Sequence, residues 1–368
     1  MLENKKFIPS LTGLRALCAY GIFFYHIEPF AGGANPVLHT VVSQFYSFIP
    51  FFFVISAFVI FHTYYTSTGY TAKEYYNYFI NRFARIFPIL VLLNTAVFFL
   101  LFRDGQLPLA DAIKQYLLNI SLLKGFSSEF LLTGIGPSWT NSVEEIFYLL
   151  APITFVYIHR KFFLAKGTLL VYAAGALITF LFIRFPFSGF FSDYLFTAYF
   201  TFFGRVFEFA CGIYLAALYK GIYQNKWLEK YRNATLPAGL FLLILCYAFL
   251  YLIARHYQVA HANETWQGVV VNNFMFPVAI FLILYSLLYC KTLFQKFLSL
   301  PVMVALGNST YSFYLLHTTF VLSYIYKYIS KNPVIAFVCM VVVSYIFYKL
   351  IEQPAARLVK KWLRLKDK

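Results

Sequence analysis

Ten runs of about twenty mostly apolar residues, separated by short polar segments, leave this chain few ways to fold. They are Leu11–Pro29, Val41–His62, Ile86–Phe102, Asn141–His159, Gly167–Ile183, Ala198–Tyr219, Leu236–Ala254, Val269–Tyr289, Val304–Tyr326 and Pro333–Leu350. At ~1.5 Å per residue each can cross a bilayer as a helix. Inside hydrocarbon every backbone polar group needs an internal partner, so only helices and closed barrels span it. Barrel strands alternate polar and apolar residues, and these runs do not. The expected fold is therefore an all-α integral membrane protein with about ten transmembrane helices. Charge content agrees: 12% of the 368 residues are charged and 61% hydrophobic. Soluble domains carry ~25% charged residues, and half that number cannot cover a water-facing surface.

Orientation follows from lysine and arginine between the runs. With the N-terminus inside, about 20 fall in cytoplasmic segments and about 7 outside, as the positive-inside rule requires. Both termini are expected in the cytoplasm. The net charge of +16 is thus read as topology and attraction to anionic lipid, not nucleic-acid binding, since no basic stripe lies on a polar domain. The short basic start, Met1 to Lys6, leads into a run with no clear cleavage site, read as a retained first span. Residues 1–355 read as one membrane domain and 356–368 as a basic cytoplasmic tail. The longest connection, Arg103–Thr140, is expected to hold an interfacial helix near Leu109–Lys124. The five cysteines show no CxxC spacing, so neither a disulfide framework nor a zinc site is indicated.

Ionisable groups inside such runs are costly, at least ~2.5–3.5 kcal/mol each, and are functional candidates by default. Arg15 and His26 lie eleven residues apart in the first run, about 16 Å along a helix and about 20° around it. They share a face expected to line the protein interior, against the plainer readings of a snorkelling arginine and a structural histidine. Arg82 and Arg85 share a helical face and suit phosphate, or anchor the helix at headgroups. Glu144 and Glu145 open the fourth run, where one could handle protons or orient a histidine. Their plainer role is charge complementarity at a helix start, with Ser138 or Thr140 as cap. Arg205 and Glu208, three apart, read as a structural bridge. His317 sits at mid-depth in the ninth run and suits a buried polar contact. His256, His261 and Glu264 lack metal-ligand spacing.

Together these pieces resemble the acyltransferase-3 family of membrane acyltransferases. Thr12-Gly13-Leu14-Arg15-Ala16-Leu17 through His26 is similar to its opening motif, and Phe51 to Phe58 to its second-span motif. Arg82 and Arg85 match its arginine pair, and Trp139 through Ser142, Glu144, Glu145 and Tyr148 its tryptophan-to-tyrosine signature. Arg205 to Gly212, Ser309 to His317 (with Tyr311), and Glu352-Gln353-Pro354 resemble the later motifs. Thr12 stands where the family often has Asp, and Ala57 where it usually has Gly.

The resemblance implies a multi-pass protein of the bacterial inner membrane. It implies transfer of an acyl group, acetyl foremost, from cytoplasmic acyl-CoA to a hydroxyl of a cell-surface polysaccharide or other extracytoplasmic glycan, with no metal. In that scheme Arg82 and Arg85 hold CoA phosphates and Arg15 guides the thioester inward. His26 is the general base, supported by Glu144 or Glu145. Trp139, Ser142, Tyr148, Arg205, Glu208, Tyr311 and His317 bind substrate or support the site. His26 and Ser142 are both conceivable acyl carriers. No hydrolase-like domain follows, so the acceptor site is expected in the membrane domain and its loops. The competing class is a transporter or flippase for a glycan or glycolipid, whose pathway would also need buried charges. Against it stands the absence of repeated spans and paired broken helices.

Overall fold

The computed structural model describes residues 7–29, 35–66 and 71–365. Lys5, Lys6, Lys366 and Lys368, counted above toward orientation, lie outside the described residues. Helices dominate the rest, and among the described residues there is no strand, only an isolated bridge between Ser127 and Phe190. The principal helices are α1 (Pro9–Ile27), α2 (Ile49–Tyr64), α3 (Ala72–Arg103), α4 (Leu109–Ile120), α5 (Trp139–Tyr157), α6 (Phe163–Arg184) and α7 (Phe202–Tyr219). They continue with α8 (Thr235–Tyr257), α9 (Phe276–Tyr289), α10 (Pro301–Asn308), α11 (Thr310–Leu316), α12 (Phe320–Tyr328), α13 (Pro333–Phe347) and α14 (Gln353–Leu365).

Seven helical stretches among the described residues are long and apolar enough to cross a membrane. They are Pro36–Tyr64, Ala72–Arg103, Phe163–Arg184, Tyr194–Tyr219, Arg232–Tyr257, Trp266–Tyr289 and Pro333–Arg364. Three of the ten predicted runs fall short, and each of them carries functional candidates. α1 and α5, each 19 residues, are long enough but too polar, because Arg15 and His26 sit in one and Glu144 and Glu145 in the other. The ninth run, Val304–Tyr326, is not one helix. It breaks at Ser309 and again at His317–Thr319, giving α10, α11 and α12. Both breaks fall in Ser/Thr/Asn clusters, whose side chains compete for the backbone. Thr319 adopts an extended conformation and its hydroxyl accepts from the Val321 N–H.

α3 begins well before the predicted third span. Thr71 and Glu74 form a reciprocal capping box, so Arg82 and Arg85 lie inside a helix instead of ahead of it. A helix does form within the 109–124 segment, as α4, ending at Ile120.

The membrane reading gains support from inverted burial. Only 11% of the apolar window of α6 and 17% of that of the Arg232–Tyr257 stretch is buried in protein, against 78% for Pro36–Tyr64. Leu169, Leu170, Phe241 and Ile244 stand exposed. Leaving such side chains in water costs ~1.5–3 kcal/mol each, a penalty that lipid removes.

The chain divides into two compact units. The first comprises Met1–Tyr65, Ile153–Ile178 and Asp193–Asn308. Its most extensive helix contact is α2 on α7. A Cβ at Gly212 would meet Ala57 Cβ at 2.6 Å and lie closer still to the Val54 carbonyl. Ala57 is accommodated because Gly212 supplies the space opposite. α1 passes α10 as closely, with Gly307 against the Thr12 carbonyl, and Gly13 lies against the carbonyl of Leu298, just ahead of α10.

The second unit comprises Thr66–Pro152, Thr179–Ser192 and Ser309–Lys368. α14 lies along the start of α3, with the Tyr76 hydroxyl donating to the Leu363 carbonyl at 3.3 Å. Tyr78 ties α3 to α5 by donating to the Tyr148 carbonyl at 2.8 Å. Tyr311 ties α11 to α3 by donating to the Ile86 carbonyl at 3.0 Å, in the turn ahead of Pro88.

Candidate active site

In the first unit, α1 carries Arg15 half-buried and His26 exposed in its last turn. The helix stops two residues later, where Glu28 takes a left-handed conformation and its N–H bonds the Phe24 carbonyl at 3.2 Å. The His26 ring lies 4.7 Å from that of Tyr25. Tyr25 in turn meets Tyr46 at 5.9 Å and His261 at 5.3 Å, edge to face. Gln44 holds the 260–262 turn in place, donating to the Ala260 carbonyl and accepting from the Ala262 N–H. Spacing alone set His261 aside; the fold brings it into the cluster around Tyr25. Its Nδ1 pairs with the Ser43 carbonyl at 3.1 Å.

Arg205 and Glu208, on α7, are both fully buried and form an ion pair of 3.3 Å. The guanidinium also donates to Asn273 and lies over the faces of Phe53 (5.3 Å) and Tyr199 (5.0 Å). Asn273 spends its own N–H groups on the carbonyls of Ala198 (2.7 Å) and Gly204 (3.0 Å). Asn272 and Asn273 belong to a π-helical turn, Val271–Met275, which widens the helix so that both amides point inward. Sequence inspection missed this pair because helical periodicity gives no sign of a π turn.

The second unit gathers another set. The Tyr148 hydroxyl donates to Glu144 at 2.9 Å, one turn back along α5. The Arg82 guanidinium lies 5.8 Å from the Tyr148 ring centre and within electrostatic reach of Glu145. Glu144 and Glu145 point about 100° apart around α5. Tyr311 lies within electrostatic reach of Glu144, Arg85 and Glu352. Ser312 donates a short hydrogen bond to Glu352, which closes a second π turn, Tyr348–Glu352. Arg82, Arg85, Glu144, Glu145, Tyr148 and Tyr311 therefore form one array, extended by Glu352.

Trp139 and Ser142 are buried at the start of α5. Ser142 is covered by Gly125, where a Cβ would lie 2.5 Å from the serine Oγ. Ser138 and Thr140 do not cap α5: their hydroxyls donate back to the carbonyls of Ile135 and Pro137. His317, fully buried at the end of α11, stacks on Phe313, whose carbonyl lies 3.2 Å from its Nδ1. Lys124, missed in the sequence, is also fully buried. It donates to the carbonyls of Thr133 (2.7 Å) and Ile135 (2.8 Å) and so folds the 124–135 loop. No group of three or more His, Cys, Asp or Glu among the described residues could hold a metal ion.

At the other end of α3 from the arginines lies a cleft of about 460 Å³. Arg103, Asp104, Thr318, Ser323, Tyr324 and Lys327 are among its lining residues. Eighteen residues separate Arg85 from Arg103, about 27 Å of helix. That is close to the ~30 Å of a bilayer core.

Residues 8–349 match the family profile described as an acyltransferase domain, acyltransferase-3. Among curated proteins the chain is similar to O-acetyltransferase OatA of Staphylococcus aureus strains NCTC 8325 / PS 47, COL and MRSA252. Each is 25% identical over 384 residues, covering 96% of this chain. The chain spans 58% of the length of these relatives. No solved structure matches.

Proposed function

Because the chain belongs to the acyltransferase-3 family, we propose that it is a membrane O-acyltransferase moving an acetyl group from cytoplasmic acetyl-CoA to a hydroxyl of an extracytoplasmic glycan. The observation that carries this reading is the family match across residues 8–349, which takes in every assigned residue from Arg15 to His317. The name of the S. aureus relatives favours acetyl as the group moved. The protein is read with about ten transmembrane segments, α1, α5 and the broken α10–α12 completing the seven apolar ones, and with both termini in the cytoplasm. The membrane domain is 1–355, with 356–368 as its basic end.

His26 acts as general base. It takes the proton of the acceptor hydroxyl as that oxygen attacks the thioester carbonyl; the C–S bond breaks and CoA leaves as its thiol after protonation. Exposure of His26 leaves it accessible to a substrate, whereas Ser142 lies sealed under Gly125. This favours direct transfer, or His26 over Ser142 as carrier. Arg82 and Arg85 bind donor phosphates. Tyr148 and Tyr311 fix the carboxylates beside them, leaving Glu144 or Glu145 for proton handling. Arg15 steers the thioester along α1. The cleft at the Arg103 end of α3 suits a hydroxyl-rich acceptor, combining hydroxyl donors with the aromatic ring of Tyr324.

The test uses the purified protein in proteoliposomes with radiolabelled acetyl-CoA inside and cell-wall glycan outside. Label should appear in the glycan, and His26→Ala should abolish it at unchanged protein abundance. No transfer by the wild type overturns the function, and transfer by His26→Ala at the wild-type rate removes His26 from the mechanism.

A further inference from the structure

α14 lies beyond the part of the chain that the family profile matches, which ends at residue 349. Its composition suggests a lipid anchor: Arg357, Lys361 and Arg364 are exposed, and so are Leu358 and Trp362. One cation does not fit that description. Lys360 is half-buried and turned toward α3, within electrostatic reach of Arg82, Arg85 and Arg364. Arg364 is itself tied to α3 through Asn81, at 3.3 Å.

The placement follows from helix geometry. Lys360 and Arg364 are four apart and share a face, as do Arg82 and Arg85, three apart. The Tyr76–Leu363 and Asn81–Arg364 hydrogen bonds hold the two faces together. Four cations therefore converge. Glu145 is within reach of Arg82, and Glu352 within reach of Arg85. Among the described residues no carboxylate balances Lys360, and neither Lys360 nor Arg85 forms an ion pair. A partly desolvated ammonium among three guanidinium groups is repelled by all of them. A lysine with only a lipid-anchoring role would gain by snorkelling outward, as Lys361 does on the same helix.

We propose that Lys360 and Arg364 complete, with Arg82 and Arg85, a polyphosphate-binding site that takes the phosphate groups of the acyl-CoA donor, so that α14 is part of the donor site and not only a membrane anchor. This rests on the donor reading above. A CoA molecule brings a pyrophosphate and a 3′-phosphate, enough negative charge to offset this cluster. Anionic lipid headgroups share the phosphate chemistry and are the competing source.

The experiment measures equilibrium binding of acetyl-CoA and of 3′-dephospho-acetyl-CoA to the full chain in nanodiscs of uncharged phosphatidylcholine. Lys360→Gln should raise the Kd for acetyl-CoA by ~10-fold, the size expected for one charge-assisted contact. Lys361→Gln, on the outward side, should leave it unchanged. A smaller effect of Lys360→Gln on the dephospho donor would assign Lys360 to the 3′-phosphate, and an equal effect to the pyrophosphate. In parallel, the affinity of both variants for phosphatidylglycerol vesicles is measured. If Lys360→Gln leaves acetyl-CoA binding unchanged and weakens vesicle binding alone, the site is a lipid contact and the proposal is overturned. If the wild type binds no acetyl-CoA, the donor reading itself fails, an outcome distinct from an unaffected Kd in the variant.

Discussion

Replacing Arg205 by Met should destabilise the protein by roughly 3–5 kcal/mol, and a second change at Glu208 should recover most of that loss. Both side chains are fully buried, and their charged atoms are 3.3 Å apart. At an effective dielectric of ~20 the attraction is about 5 kcal/mol, which offsets the burial of two ions without greatly exceeding it. Arg205 also has the Asn273 amide and two aromatic faces. Glu208 has no hydrogen-bond donor at either oxygen and depends on Arg205 alone. Arg205→Met therefore leaves a buried carboxylate with no cation beside it. Glu208→Gln in the same chain removes that charge, and about 2–3 kcal/mol should return. The remaining deficit, ~1–2 kcal/mol, corresponds to the lost contacts with Phe53 and Tyr199. Thermal melting of the purified protein in detergent, followed by tryptophan fluorescence, gives the order: wild type highest, double variant next, Arg205→Met lowest. Purely additive losses, with the double variant least stable, would refute the claim that Glu208 is held by Arg205.

Two further substitutions probe the fold. Gly212→Ala should lower stability by ~1–3 kcal/mol, because its methyl meets the Val54 carbonyl and Ala57 on a helix backbone with no room to yield. Adding Ala57→Gly should restore only part, since the carbonyl stays; a Gly212→Ala melting curve coincident with wild type would deny the close crossing. Burial pushes the Lys124 ammonium from an ordinary 10.5 down to about 7. The unfolded chain then binds more protons than the folded one between about pH 7 and 10.5. The cost of the buried charge is therefore present below about pH 7 and falls away as pH rises, by up to ~1.4 kcal/mol per unit. The neutral amine keeps two N–H donors for the Thr133 and Ile135 carbonyls. The wild type should gain melting temperature over Lys124→Met between pH 7 and 9, and a pH-independent difference would contradict this.

Arg15, His26, Glu144 and Glu145 stood out in the sequence because charge is rare in runs of such apolarity. The same polarity is what keeps α1 and α5 from qualifying as ordinary spans. Apolar run length located most helices to within a turn or two, but a run of apolar residues does not reveal a break. Val304–Tyr326 read as continuous because its Ser, Thr and Asn residues are individually compatible with a helix; their capping bonds depend on local backbone geometry. Glu352 and Ser312 were visible only as separate motif residues, since they are forty positions apart.

The long apolar runs by themselves determined that this chain is built of membrane helices, because hydrocarbon admits only helices and closed barrels, and these runs lack a barrel's alternation. The motif residues, in order along those runs, were enough to indicate the family. Only the tertiary structure decided partners: Tyr148 with Glu144, Arg205 with Asn273, Lys360 with the α3 arginines. Such pairings arise from the crossing of helices distant in sequence and from π turns that rotate a side chain inward. Neither leaves a periodic trace in one chain, because both depend on packing between segments and not on the residues of either segment alone.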